Sequence, residues 1–228
     1  MHAYRVFQSG IALPGVHLRT EVIQEAVEET NSVMAALSHR SDALGAKISD
    51  LLDLRILSGL MGEALATAIS KHCPKLRRNP HIDGYPDLLN VSSPEAAQAF
   101  SGGKREHFIL FPHGGIEVKN TCGIRKTGDL LPGQTRIGNI SRPKWKAHHR
   151  DTNHLLATYT DFIEGVPVIA AVMYSDRLSA ADWSVKHQPK AGSAMTSFCE
   201  TTNAGYLKLR AGLILCLNMA EYVGFFAE

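Results

Sequence analysis

Gly115-Ile116-Glu117-Val118-Lys119-Asn120-Thr121 is the stretch on which the reading of this chain turns. In an extended strand successive side chains alternate between faces. Glu117 and Lys119 therefore share one face, expected to be exposed, while Ile116 and Val118 enter the opposite, buried layer. A lone Glu-x-Lys is most simply a surface ion pair contributing ~0–1 kcal/mol. A second acid upstream changes that balance. Asp87, in Asp83-Gly84-Tyr85-Pro86-Asp87-Leu88-Leu89-Asn90, precedes a short apolar segment that reads as another strand and can deliver its carboxylate to the same edge. Two carboxylates and a lysine brought together are the parts for holding Mg²⁺ and activating a water. Asp83, four residues earlier, would serve only in a different strand register, and Pro86 favours Asp87.

Pro86-Asp87 followed by Glu117-Val118-Lys119 resembles the motif of the PD-(D/E)XK nucleases, especially type II restriction endonucleases. The resemblance implies an α/β fold with a restriction-endonuclease-like core of helix, three strands, helix and strand, its mixed central sheet flanked by helices. It implies Mg²⁺ as cofactor, with Asp87, Glu117 and Val118 at the metal, and Asp87, Glu117 and Lys119 as catalytic residues. Lys119 would orient or deprotonate the attacking water and stabilise charge on phosphorus, its ammonium shifting toward neutrality. Glu63, on the helix before the first core strand, is a secondary catalytic candidate. Its position alone reads as a surface glutamate. Products would carry 5′-phosphate and 3′-hydroxyl ends.

Composition is compatible with this. The chain has 228 residues, 44% hydrophobic and 20% charged, with a formal net charge of only +2. That is ordinary for one soluble domain, expected to span 1–228 with its core at about 58–174, and any nucleic-acid surface must be a local patch. Cys73, Cys122, Cys199 and Cys216 form no Cys-x-x-Cys pair, which argues against a zinc ribbon or redox dithiol. The start, Met1-His2-Ala3-Tyr4-Arg5, lacks signal-peptide blocks, and no apolar run reaches the about 18 residues of a membrane span, so a cytoplasmic location is expected.

Helical spacing is expected over 18–38 and 46–70, the second with a break or tight contact at Gly59 and Gly62. The acidic run Glu21, Glu25, Glu28 and Glu29 reads as a solvated face. Residues 71–80 end the second helix through two prolines. Strands are expected around 85–90, 107–111 and 115–121, with a polar loop between the first two and a turn at Pro112-His113-Gly114. Leu155, Leu156, Tyr159 and Phe162 give helical spacing over 148–162, and Val166–Tyr174 reads as a strand covered on both faces. The tail is loop-rich from Ser175 to Asn203. Gly205 to Phe226 fits either a buried helix or two strands.

Between Arg125 and Arg150 seven Lys and Arg residues stand against one acid, Asp129. Such a cluster suits phosphate contact or a solvated loop. Gln134, Arg136, Asn139, Arg142, Lys144, Lys146, His148 and His149 are the candidate DNA-binding residues, several of them with the donor and acceptor types that read base edges. A zinc site among His148, His149, His154 and His113 is disfavoured, because His149 is followed at i+4 by Asn153 and His154 is preceded at i−4 by Arg150. Trp145 and Trp183 read as loop anchors, and Asp161, Asp176 and Asp182 as caps or turn residues.

The expectation is a Mg²⁺-dependent, sequence-specific endonuclease of double-stranded DNA, acting as a homodimer on a short palindromic site. A cognate DNA methyltransferase is expected in the same host. A repair or junction-resolving nuclease of the same fold, or a non-catalytic DNA-binding protein, are the alternatives.

Overall fold

The computed structural model describes residues 2–124, 126, 131, 133–148, 152–188 and 197–228. The chain opens with strand β1 (Tyr4–Val6) and a hairpin of β2 (Gly10–Leu13) and β3 (Val16–Arg19). Helices α1 (Thr20–Ala43), α2 (Ile48–Leu51) and α3 (Leu54–His72) follow. Then come β4 (Leu76–Arg78), β5 (Leu88–Asn90), α4 (Pro94–Gly102), β6 (Gly115–Thr121) and the short β7 (Lys146–Ala147). The remainder is β8 (Leu155–Ile163), β9 (Val166–Ser175), β10 (Cys199–Glu200), α5 (Asn203–Ala211), β11 (Leu213–Leu217) and α6 (Ala220–Ala227).

Seven strands form one mixed sheet in the order β1-β11-β9-β8-β6-β5-β4. Every neighbouring pair is antiparallel except β6 and β8, which run parallel with Glu117 opposite Leu155 and Thr121 opposite Tyr159. Helices cover both faces. On one, α1 presents Ile23, Ala26, Val27, Thr30 and Met34 and α3 presents Leu57, Met61, Leu65 and Ile69, joined by the apolar side chains of the β2–β3 hairpin. On the other, Tyr206 and Leu209 of α5 and Tyr222 and Phe226 of α6 pack with Trp145 and Trp183. An α/β sheet flanked by helices is thus present, built by helical stripes whose period matches one turn.

Several local expectations are corrected. Residues 148–162 do not form a helix: Leu155–Ile163 is the strand β8, with only Ile163 not fully buried. Buried on both faces, it shows no polar alternation, and Leu155, Leu156, Tyr159 and Phe162 imitate helical spacing. Glu164 and Gly165, both at positive φ, turn it tightly into β9. The 46–70 helix breaks at Leu52–Asp53, where the Asp53 carboxylate caps the amides of Arg55 and Ile56, and Gly59 and Gly62 lie inside α3. The polar loop contains α4, capped by Ser93 with Pro94 at its first turn. Around 107–111 there is a 3₁₀ turn over Arg105–Phe108 instead of a strand, and the third antiparallel strand is β4. The 205–226 segment is helix, strand and helix.

Candidate active site

The site grows from an unequal pairing. Strand β5 meets β6 only through Leu88–Ile116 and Leu89–Gly115, whereas β8 pairs with β6 along Glu117 to Thr121. Backbones approach so closely at Gly115 that a Cβ there would sit 1.9 Å from the Leu88 carbonyl oxygen, so only glycine fits. Beyond that crossing the outer edge of β6 is open, and Asp87, the residue just before β5, turns its side chain into it. Asp87 Oδ2 accepts from the Val118 amide at 2.8 Å and from Lys119 Nζ at 3.1 Å. Lys119 Nζ also lies 2.6 Å from Glu117 Oε1, and Glu117 Oε2 accepts from the Asp87 amide at 3.3 Å. The structure therefore brings Asp87, Glu117 and Lys119 into one triad.

The triad is more enclosed than expected. Glu117 is only 5% exposed, its two oxygens taken up by Lys119 and Asp87. Burial, reinforced by the nearby Asp87 charge and opposed by Lys119, pushes its carboxyl up to about 7. Burial alone would favour a neutral amine at Lys119, but the Glu117 and Asp87 carboxylates outweigh it and hold the ammonium above the usual lysine range.

Asp87, Val118 and Lys119 form the floor of a cleft of about 550 Å³, with the buried Glu117 behind them, outside its lining. One wall is the first half of α3, which carries Ser58 and Glu63. Glu63 is paired with Arg78 of β4. The other wall carries Lys144, Lys146, His148 and Glu200. Ser58 ties α3 to β6 by donating to the Asn120 carbonyl at 2.6 Å, while the Asn120 side-chain oxygen accepts from Thr158 at 2.8 Å and Thr160 at 2.9 Å.

Of the expected DNA-binding residues, Lys144, Lys146 and His148 line the cleft. Arg136 does not: it is 7% exposed, its Nε donates to the Cys122 carbonyl at 2.7 Å and its amide to Asp161 at 2.6 Å. A guanidinium there satisfies the Cys122 and Gly123 carbonyls, which an exposed base reader could not do. Gln134 and Arg142 lie away from the cleft lining, Gln134 accepting from the Leu131 amide and Arg142 reaching Asn203 at 3.4 Å. Asn139 likewise lies off the cleft, its carbonyl accepting from Lys126. His149, with Arg125, Asp129, Arg150 and Asp151, falls outside the described residues.

Comparison with protein-family models, curated proteins and solved structures finds no match. The chemistry of the site must carry the functional argument.

Among the described residues no three His, Cys, Asp or Glu side chains gather as a metal cage. A hard cation needs less. Mg²⁺ keeps much of its water and is held through one or two carboxylates together with substrate phosphate. Asp87 on the cleft floor, with the Glu117 carboxylate buried directly behind it and the Val118 backbone on the same open edge, fits that requirement, because a strand residue projects its N–H and C=O from one edge. No helix of the described residues is long and apolar enough to cross a membrane.

Sequence reasoning missed Ser58, Asn120 and Glu200. Glu200 reaches the cleft through a two-residue strand, a feature with no periodic signal. Asp161 was read as a turn or cap residue, but it is fully buried within β8 and accepts from the amides of Arg136, Ile137 and Phe162 and the hydroxyls of Tyr159 and Tyr222. Asp182 does cap a turn, accepting from Ser179, and Trp145 and Trp183 anchor loops through bonds to the Thr158 and Thr152 carbonyls.

Proposed function

We propose that the chain is a Mg²⁺-dependent endonuclease of double-stranded DNA, a type II restriction enzyme of the PD-(D/E)XK superfamily. The observation that carries the reading is the joining of Asp87 and Glu117 to one lysine, 3.1 and 2.6 Å from its ammonium, with Asp87 and that lysine lining a cleft walled by two further lysines. The order of elements supports it in part: α3, three antiparallel strands β4, β5 and β6, then β8 parallel to β6, but without the helix expected between the third and fourth strands among the described residues.

Asp87, Glu117 and the Val118 carbonyl would hold Mg²⁺. The ion would supply charge neutralisation at the scissile phosphate and a more acidic water. The chain's own residues would do the rest. Lys119 would orient or deprotonate the attacking water and donate hydrogen bonds toward the phosphoryl oxygens, stabilising the negative charge that grows there. Lys144 and Lys146 grip flanking phosphates and fix the duplex across the cleft. Products would carry 5′-phosphate and 3′-hydroxyl ends, and two-fold assembly of a homodimer would give each strand its own site. A methyltransferase of matching specificity belongs with such an enzyme.

The test is incubation of the purified protein with a long duplex of known sequence, with Mg²⁺ or with EDTA, followed by gel electrophoresis and end sequencing. Discrete Mg²⁺-dependent bands support the proposal. A smear points to a repair or junction-resolving nuclease of the same chemistry. Intact DNA that the protein nevertheless binds points to a non-catalytic DNA-binding protein.

A further inference from the structure

The cleft wall opposite α3 contains a feature that phosphate gripping does not explain. Strands β7 and β10 form a two-stranded antiparallel ribbon outside the main sheet, with Glu200 directly opposite Lys146. Glu200 Oε2 lies 3.2 Å from Lys144 Nζ, and its Oε1 lies 3.8 Å from Lys146 Nζ. One carboxylate therefore occupies both cations that would otherwise face DNA. It is not a floppy surface group: its side chain is 21% exposed, and its amide is held by the Ser184 hydroxyl at 3.0 Å. The ribbon beneath it is anchored by buried Trp145 and Cys199.

When the duplex enters, phosphates compete for Lys144 and Lys146 and leave Glu200 facing a polyanion. A carboxylate stripped of its cations and turned toward DNA opposes binding. The opposition is relieved only if a base offers it a hydrogen-bond donor. In the major groove, which is wide enough for a two-stranded ribbon, such a donor is an exocyclic amino group, cytosine N4 above all. Building on the endonuclease reading, we infer that Glu200 is a specificity-determining residue: it restrains binding to arbitrary sequence through Lys144 and Lys146 and accepts from a base amino group at the cognate site.

The experiment compares wild type, Glu200→Gln, Glu200→Ala and Lys144→Ala on a duplex library with a randomised segment. It sequences the cut ends with Mg²⁺ and measures affinity for a fixed non-cognate duplex with Ca²⁺ in its place. Wild-type cleavage at defined sites tests the endonuclease reading by itself. For Glu200→Ala we expect one base position, fixed as cytosine or adenine in the wild-type sites, to become degenerate, with discrimination there falling roughly ten- to a hundredfold. Both Glu200 variants should bind non-cognate duplex more tightly and with a steeper salt dependence, because a freed lysine engages phosphate. Lys144→Ala should instead weaken binding to all sequences alike and leave the preferred site unchanged. Unchanged site preference and unchanged non-cognate affinity in both Glu200 variants, beside a wild type that cuts, would overturn the inference and leave the endonuclease reading standing. A wild type that neither cuts nor binds duplex removes both.

Discussion

Asp87 and Val118 stand 31 residues apart, yet the Asp87 carboxylate closes the edge of β6 by accepting the Val118 amide at 2.8 Å. The same oxygen meets the Lys119 ammonium. One side chain thus terminates strand pairing and begins the candidate site, coupling its carboxylate–lysine cluster to local backbone order.

That coupling separates two substitutions. Asp87→Asn keeps an oxygen for the Val118 amide but loses the charge, so it should fold normally and lose Mg²⁺-dependent cleavage. Lys119→Ala leaves both carboxylates to hold the cation and should bind duplex DNA while cutting more slowly by a factor of roughly 10²–10⁴. Single-turnover cleavage alongside a DNA-binding titration reads both. Wild-type cutting by Lys119→Ala would sink the site assignment.

Glu117 sets the pH dependence. Its carboxyl is pushed up to about 7 by burial, and a cation must displace that proton to bind. Mg²⁺ affinity should therefore fall about tenfold per pH unit below about 7 and level off above it, which a calorimetric titration over that range measures. Stability runs the other way. The folded carboxyl holds its proton more tightly than its ordinary value of 4.5, so this stabilising contribution is fully present below about 4.5 and is lost as pH rises through about 7. The change is on the order of 3 kcal/mol. In Glu117→Gln that component of the slope should vanish, as urea melts at the two ends of the window would show.

The triad was legible in the sequence because its chemistry is compressed into local signals: a charged pair on an otherwise apolar strand and an acid after a proline. Helix α1 and strand β9 were legible for related reasons, one a long stripe of regular period and the other an unbroken apolar run. What failed was periodicity where both faces are buried. In β8 the apolar spacing of Leu155, Leu156, Tyr159 and Phe162 fitted a turn of helix, while the better clue was the β-branched and aromatic run Thr158-Tyr159-Thr160 leading to Glu164-Gly165. Arg136 was misread because basic composition does not say which cation faces water. Glu200 was invisible, since its partners lie more than fifty residues earlier in the chain.

Asp161 offers a stability test remote from the chemistry. It is fully buried, burial raises its carboxyl above the usual range, and five donors converge on it from the 136–137 loop, from Phe162 and from two tyrosines. Asp161→Ala strands those donors and should cost about 3–5 kcal/mol. Asp161→Asn keeps the shape and one acceptor oxygen, and should cost less. Urea denaturation distinguishes them, and near-equal loss would mean that charge matters more than acceptor geometry.

Arg136 and Lys146 share a basic stretch of sequence, but their surroundings assign them opposite work. The Arg136 guanidinium is spent on the Cys122 and Gly123 carbonyls. Arg136→Ala should therefore lower folding stability by about 2–3 kcal/mol, the cost of unsatisfied buried carbonyls, and leave the salt dependence of DNA binding nearly untouched in the fraction that folds. Lys146 is exposed at the cleft, 3.8 Å from Glu200 and 4.2 Å above the Phe198 ring, so its removal disturbs little of the core. Lys146→Ala should leave the melting transition within about 0.5 kcal/mol of wild type and reduce the slope of log affinity against log salt by about one, uniformly across sequences. Fluorescence anisotropy at several salt concentrations, paired with a melt of each variant, decides the matter. A reduced salt slope in Arg136→Ala without loss of stability would place that guanidinium on DNA after all, and would require it to leave the Cys122 and Gly123 carbonyls in the complex.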